Sequence, residues 1–487
     1  MHQESTTIFP SITPAATASI ITGCYPAEHG IAGASWFDEA RQEVAYYGDD
    51  FWVIARKGIG AFLRDFLVRL NGDRLTAPTL FELIEGAGRS TACVNYLVYR
   101  GSVRHRVNVP WLMALLPGVP LTETVDGPQM LCLGDFVTAP PLRHKRSPKS
   151  GFLHRFGMDD EATAQRLIAL AGEHRLPDFT VAYFADNDYE SHDVGPHAAL
   201  PCVERVDRAL GRMFDAAGGL ARFLDEYCVV ITSDHGHCEI SPDAAQAAID
   251  LESVLGEFRH AELGRAWREG DQLMICPNMR AAQVYVRHPS HEAIEHIARS
   301  CLIEPRVDLV MWKRTAPESG SYIVTGPRGR LEFWPSGSTR VATPANLPAT
   351  SGRDAFGTAW SWRGDLEVLQ MSKDGSTVES SEYPNAFERI AGVLDARNSG
   401  DVWVTARPGC EFQLEGGKPH IGGGSHGALH ACDTLCPVIV AGARMRLPSA
   451  MRSVDIAPLC MEALGLPVRY AVGQGRIKLP VSTGRTV

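Results

Sequence analysis

Apolar runs rich in β-branched residues recur along the chain, separated by stretches of helical period, and several of them end on a polar cluster. Residues 179–185 (FTVAYFA) predict a buried strand, 198–217 a long helix, 228–232 (CVVIT) a second strand and 437–441 (PVIVA) a third. Residues 454–464 (VDIAPLCMEAL), stopped by Gly465 and Pro467, predict a closing helix. Strands alternating with helices predict an α/β fold with a mainly parallel central sheet and helices on both faces. Such sheets collect their chemistry at the C-terminal ends of strands. From about residue 271 to 350 the pattern changes to short runs such as AQVYV (282–286) and SYIVT (321–325) between Gly-, Pro- and Ser-rich turns. This predicts a smaller α+β insertion or cap over 242–399, with 1–241 and 400–487 forming the core.

The stretch IFPSITPAATASIITG carries a local grammar of its own. Thr13 suits a helix N-cap, Pro14 the first helical position, and Gly23 a C-terminal stop. Two readings follow for the Thr13 hydroxyl: it caps the helix, or it meets an anion gathered at the helix N-terminus.

Composition narrows the class. At 487 residues, 45% hydrophobic and 21% charged, the chain is globular and large enough for two domains or one with an insertion. A formal charge of -10 supplies no general field for a nucleic acid polymer. No apolar run reaches the roughly 20 residues of a membrane helix, so no membrane partner is expected. Twelve scattered cysteines without a C-x-x-C pair read as free thiols, several of them buried, in a reducing compartment. The start Met-His-Gln-Glu-Ser has neither the basic nor the apolar region of a secretory signal, and a cytoplasmic protein is the expectation.

The polar clusters carry the chemistry. DNDYESHDVGPH sets Asp188 and His192 four residues apart, SDHGH sets Asp234 beside His235 before the permissive Gly236, and GGGSHGALH puts His426 in a glycine-rich loop. A lone surface Asp or His is ordinarily just solvated, but these clusters bring carboxylates and imidazoles to three separate loops. That donor set suits divalent ions such as Zn²⁺ or Mn²⁺. Asp193 and His237 read as solvated or supporting neighbours, and His420 competes with His426 as a ligand.

The run FPSITPAATASIITGCYPAEHGIAG, then DYESHDVGP, SDHGH, SHGALHACDTLCPVIVAG and VDIAPLCMEALGLP, resembles the type I phosphodiesterase/nucleotide pyrophosphatase branch of the alkaline phosphatase superfamily. The resemblance implies that Thr13, ten residues before Gly23, is a nucleophile forming a covalent phospho-enzyme. It implies Asp188, His192 and His426 as ligands of one divalent ion, and Asp234, His235 and the Thr13 oxygen as ligands of another, with zinc ahead of manganese. The amides of Ala15 and Ala16 would face the phosphoryl group, and the substrate would be a small phosphate ester or diester.

Two departures qualify that expectation. Nucleotide-cleaving relatives often carry Asn three residues after the nucleophile, where this chain has Ala16. Relatives also supply a second-site aspartate from an Asp-Gly strand before the nucleophile, and nothing before Thr13 does so. The upstream reading frame is expected to encode such a segment. A phosphomonoesterase, a phosphonate hydrolase or a degenerate non-catalytic member remain alternatives. Gly423-Gly-Ser425-His426-Gly427 satisfies the pattern of a serine-hydrolase elbow, but the triad order fails downstream. In HEAIEH the second histidine, His296, falls one position late for a zinc-protease helix. A sulfatase would want Cys or Ser at Thr13 and an Arg at Thr17.

Overall fold

The computed structural model describes residues 1–48, 51–109, 123–138, 152–314, 320–338, 349–413, 419–443, 445 and 447–467. Two four-stranded sheets lie beneath the polar clusters. In chain order their strands are β1 (His2–Thr6), β2 (Thr91–Val94), β3 (Met130–Leu133), β4 (Val137–Thr138), β5 (Phe179–Ala182), β6 (Val229–Thr232), β7 (Leu435–Ala441) and β8 (Met451–Arg452). One sheet runs β6-β7-β1-β8 and the other β4-β3-β2-β5. β2 is parallel to both neighbours, whereas β7 is antiparallel to β1 and β6, so the sheets are mixed.

β5 and β6 are each the end strand of their sheet. Their apolar sequences predict burial on both faces, yet β5 is only half-buried and Ile231 of β6 is 37% exposed. Strand pairing on one side alone accounts for the difference.

A ten-stranded, almost wholly antiparallel sheet is built within residues 273–406. Alternation along Val307–Lys313 sends Leu309 and Met311 to one face and Val310 and Trp312 to the other. The helix Ala386–Leu394 packs Phe387, Ile390 and Val393 on the first face, and His291–Cys301 packs Ile294, Ile297 and Cys301 on the second. His291 and His296 lie on that second helix with more than 45% of each side chain exposed, the pattern of an amphipathic surface helix.

The large sheet is keyed to the N-terminal loop by a buried arginine. Arg389 donates to Ile8 O (3.3 Å), Ser11 Oγ (3.1 Å), Leu429 O (2.9 Å) and Thr434 Oγ1 (2.7 Å). Phe9, which precedes a cis Pro10, sits against Trp403 with ring centroids 5.1 Å apart. All twelve cysteines are free thiols. Among the described residues, no helix is long and apolar enough to cross a membrane.

Candidate active site

The helix α1 (Thr13–Thr22) follows β1 and buries every residue from Pro14 to Thr22, leaving Thr13 half-exposed at its start. Gly23 ends it in the left-handed conformation at φ 64°, as read from the sequence. The cap differs from the expectation. Ile12 is the N-cap and Thr13 the first helical residue, so the Thr13 hydroxyl makes no capping bond and instead lies 3.0 Å from His235 Nε2. The Ala16 amide donates to Ile12 O (2.9 Å) within the helix, while the Ala15 amide has no acceptor among the described residues. His29, the histidine of the same motif, pins the next turn: its Nε2 faces Ser19 Oγ at 2.9 Å and its Nδ1 accepts from the Ile31 amide at 3.1 Å.

After β5 comes α2 (Asp186–Val194), whose one-turn spacing puts Asp188 and His192 on one face. The turn after β6 carries Asp234 and His235, and the glycine-rich loop before β7 carries His426. Gly423 lets that loop press onto α2, where a Cβ would stand 2.0 Å from His192 O. Gly427, at φ +116°, leaves no room either: a Cβ there would stand 2.3 Å from Asn278 O. Arg280 closes the arrangement from the large sheet. Its amide donates to His426 O (2.9 Å), and its guanidinium forms a fully buried ion pair with Asp433.

These elements converge on Asp188 Oδ1. The Nε2 atoms of His426, His192 and His235 stand 3.5, 3.7 and 3.9 Å from it, and His235 Nε2 is 3.5 Å from Asp234 Oδ2. Each of the three imidazoles faces a backbone carbonyl with Nδ1: Ser11 O (2.9 Å) for His426, Gly424 O (2.8 Å) for His192 and Gly236 O (3.1 Å) for His235. A carbonyl accepts only from N–H, so the proton sits on Nδ1 in all three, and the neutral form of each ring turns its Nε2 lone pair toward the shared point. His426 Nε2 is buried there without a hydrogen-bond partner.

The donor set fits a divalent ion. Two ligands about 2.1 Å from a tetrahedral ion are about 3.4 Å apart, close to the Asp188–His426 and Asp188–His192 separations. Protonation follows the same pattern. Burial, followed by the neighbouring imidazoles His235 and His237, holds His426 well below the usual range, and burial takes His192 down to about 4. Burial works to raise Asp188, but the His237 hydrogen bond and the imidazoles around it hold its carboxyl well below the usual range. Burial raises Asp234, reinforced by the charge of Asp188. Neutral imidazoles beside two crowded carboxylates are what a dication requires.

A family model described as type I phosphodiesterase / nucleotide pyrophosphatase matches residues 2–318. The chain belongs to that family. Solved structures of the alkaline phosphatase superfamily share its fold. Murine ectonucleotide pyrophosphatase / phosphodiesterase 5 superposes with a TM-score of 0.53 at 13% identity, covering 97% of this chain and 89% of that one. Phosphonoacetate hydrolase from Sinorhizobium meliloti 1021 does so with a TM-score of 0.50 at 16% identity, covering 95% and 87%. A 2,3-bisphosphoglycerate-independent phosphoglycerate mutase from Wolinella succinogenes is 41% identical over 113 residues, 23% of this chain and 22% of the mutase.

In this phosphodiesterase-family chain the structure thus brings Thr13, Asp188, His192, Asp234, His235 and His426 together. His420 stands apart from the shared point, stacked on His192 at 4.2 Å with its Nδ1 held by Glu411 Oε2 at 2.9 Å. Asp193 is exposed. His237 is the residue that sequence reasoning undervalued: its Nε2 lies 2.7 Å from Asp188 Oδ1, within the same group of potential ligands. The signal was a second histidine two positions after His235. Cys238, Cys432 and Asp433 form another compact group, but Arg280 already balances its charge.

Proposed function

We propose that the protein is a two-metal phosphoester hydrolase of the phosphodiesterase/nucleotide pyrophosphatase type with Thr13 as nucleophile. The observation that carries this reading is the half-exposed Thr13 hydroxyl, 3.0 Å from His235 Nε2, at the mouth of an otherwise buried helix. Asp188, His192 and His426 would hold one ion, and Asp234, His235 and Thr13 the other, with zinc favoured by the nitrogen-rich donors. Bound there, the ions would supply Lewis acidity that favours the alkoxide of Thr13 and draws charge from the phosphoryl oxygens.

Thr13 Oγ1 then attacks phosphorus in line, the ester oxygen leaves, and the phosphoryl group rests on Thr13 until water hydrolyses it. The α1 N-terminus and the Ala15 amide lie where they can stabilise the developing charge. The murine relative is described in complex with AMP and the Sinorhizobium enzyme with phosphonoacetate, which supports a small phosphoryl or phosphonyl substrate here. Ala16, lacking a side chain that could bind the phosphoryl oxygen, favours a monoester or phosphonate as the second reading.

A panel of aryl phosphodiesters, aryl phosphomonoesters and phosphonates, assayed with Zn²⁺ or Mn²⁺, separates these readings. Turnover with phosphate trapped on Thr13 in a rapid quench supports the mechanism. Undiminished turnover by Thr13→Ala removes it.

A further inference from the structure

His237 differs from the other imidazoles of the cluster. His192, His235 and His426 each face a carbonyl with Nδ1 and turn Nε2 toward the shared point, where that of His235 also meets the Thr13 hydroxyl at 3.0 Å. His237 has no partner at Nδ1, which is buried, and places Nε2 2.7 Å from Asp188 Oδ1. A carboxylate oxygen accepts there, so Nε2 carries the proton. The 2.7 Å separation is that of a charge-assisted hydrogen bond, short of the roughly 3.4 Å between two ligands of one tetrahedral ion.

We propose that His237 is a positioning residue that couples the two ion sites. It belongs to the turn 234–237, whose His235 faces both Thr13 and Asp234, yet its hydrogen bond ends on Asp188, the carboxylate that His192 and His426 also face. Donation into one lone pair of Oδ1 fixes the carboxylate rotamer and leaves another lone pair for an ion. Ordering the turn around one ion therefore orders the carboxylate for the other, and each ion favours the binding of its neighbour. This inference rests on the two-metal reading.

Zn²⁺ titration of the metal-free full chain against a competing chelator tests it, read by calorimetry without any activity assay. The wild-type chain is expected to bind two equivalents cooperatively. His237→Ala should keep the stoichiometry, weaken the Asp188 site by roughly ten- to a hundredfold and abolish the cooperativity; His237→Gln, which retains an N–H donor, should recover part of both. If His237→Ala does not fold, His237→Leu is read in its place. Wild-type affinity and cooperativity without the donor would overturn the proposal. So would the outright loss of one equivalent, which would make His237 a ligand. Asp188→Asn is the control on the parent reading: if it binds two ions as tightly as wild type, the metal assignment itself fails, whatever His237 does.

Discussion

At the scale of single residues, Thr13 shows what local sequence grammar misses. Its place before Pro14 reads as a cap, and the structure moves the cap to Ile12, releasing the hydroxyl toward His235. Thr13→Ala should therefore abolish turnover while shifting stability by less than about 1 kcal/mol, since no capping bond is lost. Activity and thermal unfolding measured on the same preparation check both halves. Gly427 makes the opposite case, because its need for glycine is written in a positive φ and in the nearness of Asn278 O. Gly427→Ala should cost about 1–3 kcal/mol through forced overpacking and displace His426, so that metal content and activity fall together. Full metal occupancy in that variant would count against His426 as a ligand.

At the scale of elements, the alternation of strands and helices was legible wherever apolar period and stop signals agreed. The helix expected over 198–217 is Leu200–Ala216, the strand 228–232 is Val229–Thr232, and the closing segment is a short 3-10 turn followed by Ile456–Ala463. What periodicity does not carry is pairing. FTVAYFA reads as a buried strand and CVVIT as a second strand, yet β5 and β6 each end their sheet, and nothing in either run reveals which edge is paired. Long-range ties are equally silent: Arg389 holds the Phe9–Pro10 loop from a helix nearly four hundred residues away. Arg389→Met should leave Ile8 O and Leu429 O with only the Ser11 and Thr434 hydroxyls at 3.2 Å, each lost bond to the charged guanidinium costing about 1.5–3 kcal/mol. Denaturant unfolding should show that loss, with activity falling because the loop leads directly into Thr13.

At the scale of the whole molecule, the site joins segments that meet only in the folded chain, so ligand binding and stability are linked. If ions bind the native state alone, free metal at a hundred times its Kd adds about 2.7 kcal/mol; chelation should lower the thermal midpoint, and zinc should restore it. The metal-free protein should also be acid-sensitive. Burial lowers His29 from 6.5 to about 3 and His192 from 6.5 to about 4. A depressed folded value means that the unfolded chain binds the proton first. Their contribution is intact above about pH 6.5 and is lost as pH falls toward 4 and then 3. Midpoints of the chelated protein between pH 7 and 4 measure the slope, and His29→Gln should remove its share. The sequence by itself determined the family, the order of the motifs and the residue types offered to an ion, because these are local patterns of chemistry and spacing. Only the tertiary structure decided that three histidines share one tautomer, that His237 reaches Asp188, and that Thr13 faces the cluster rather than its own helix. Those facts depend on distances across hundreds of residues, which no local period encodes.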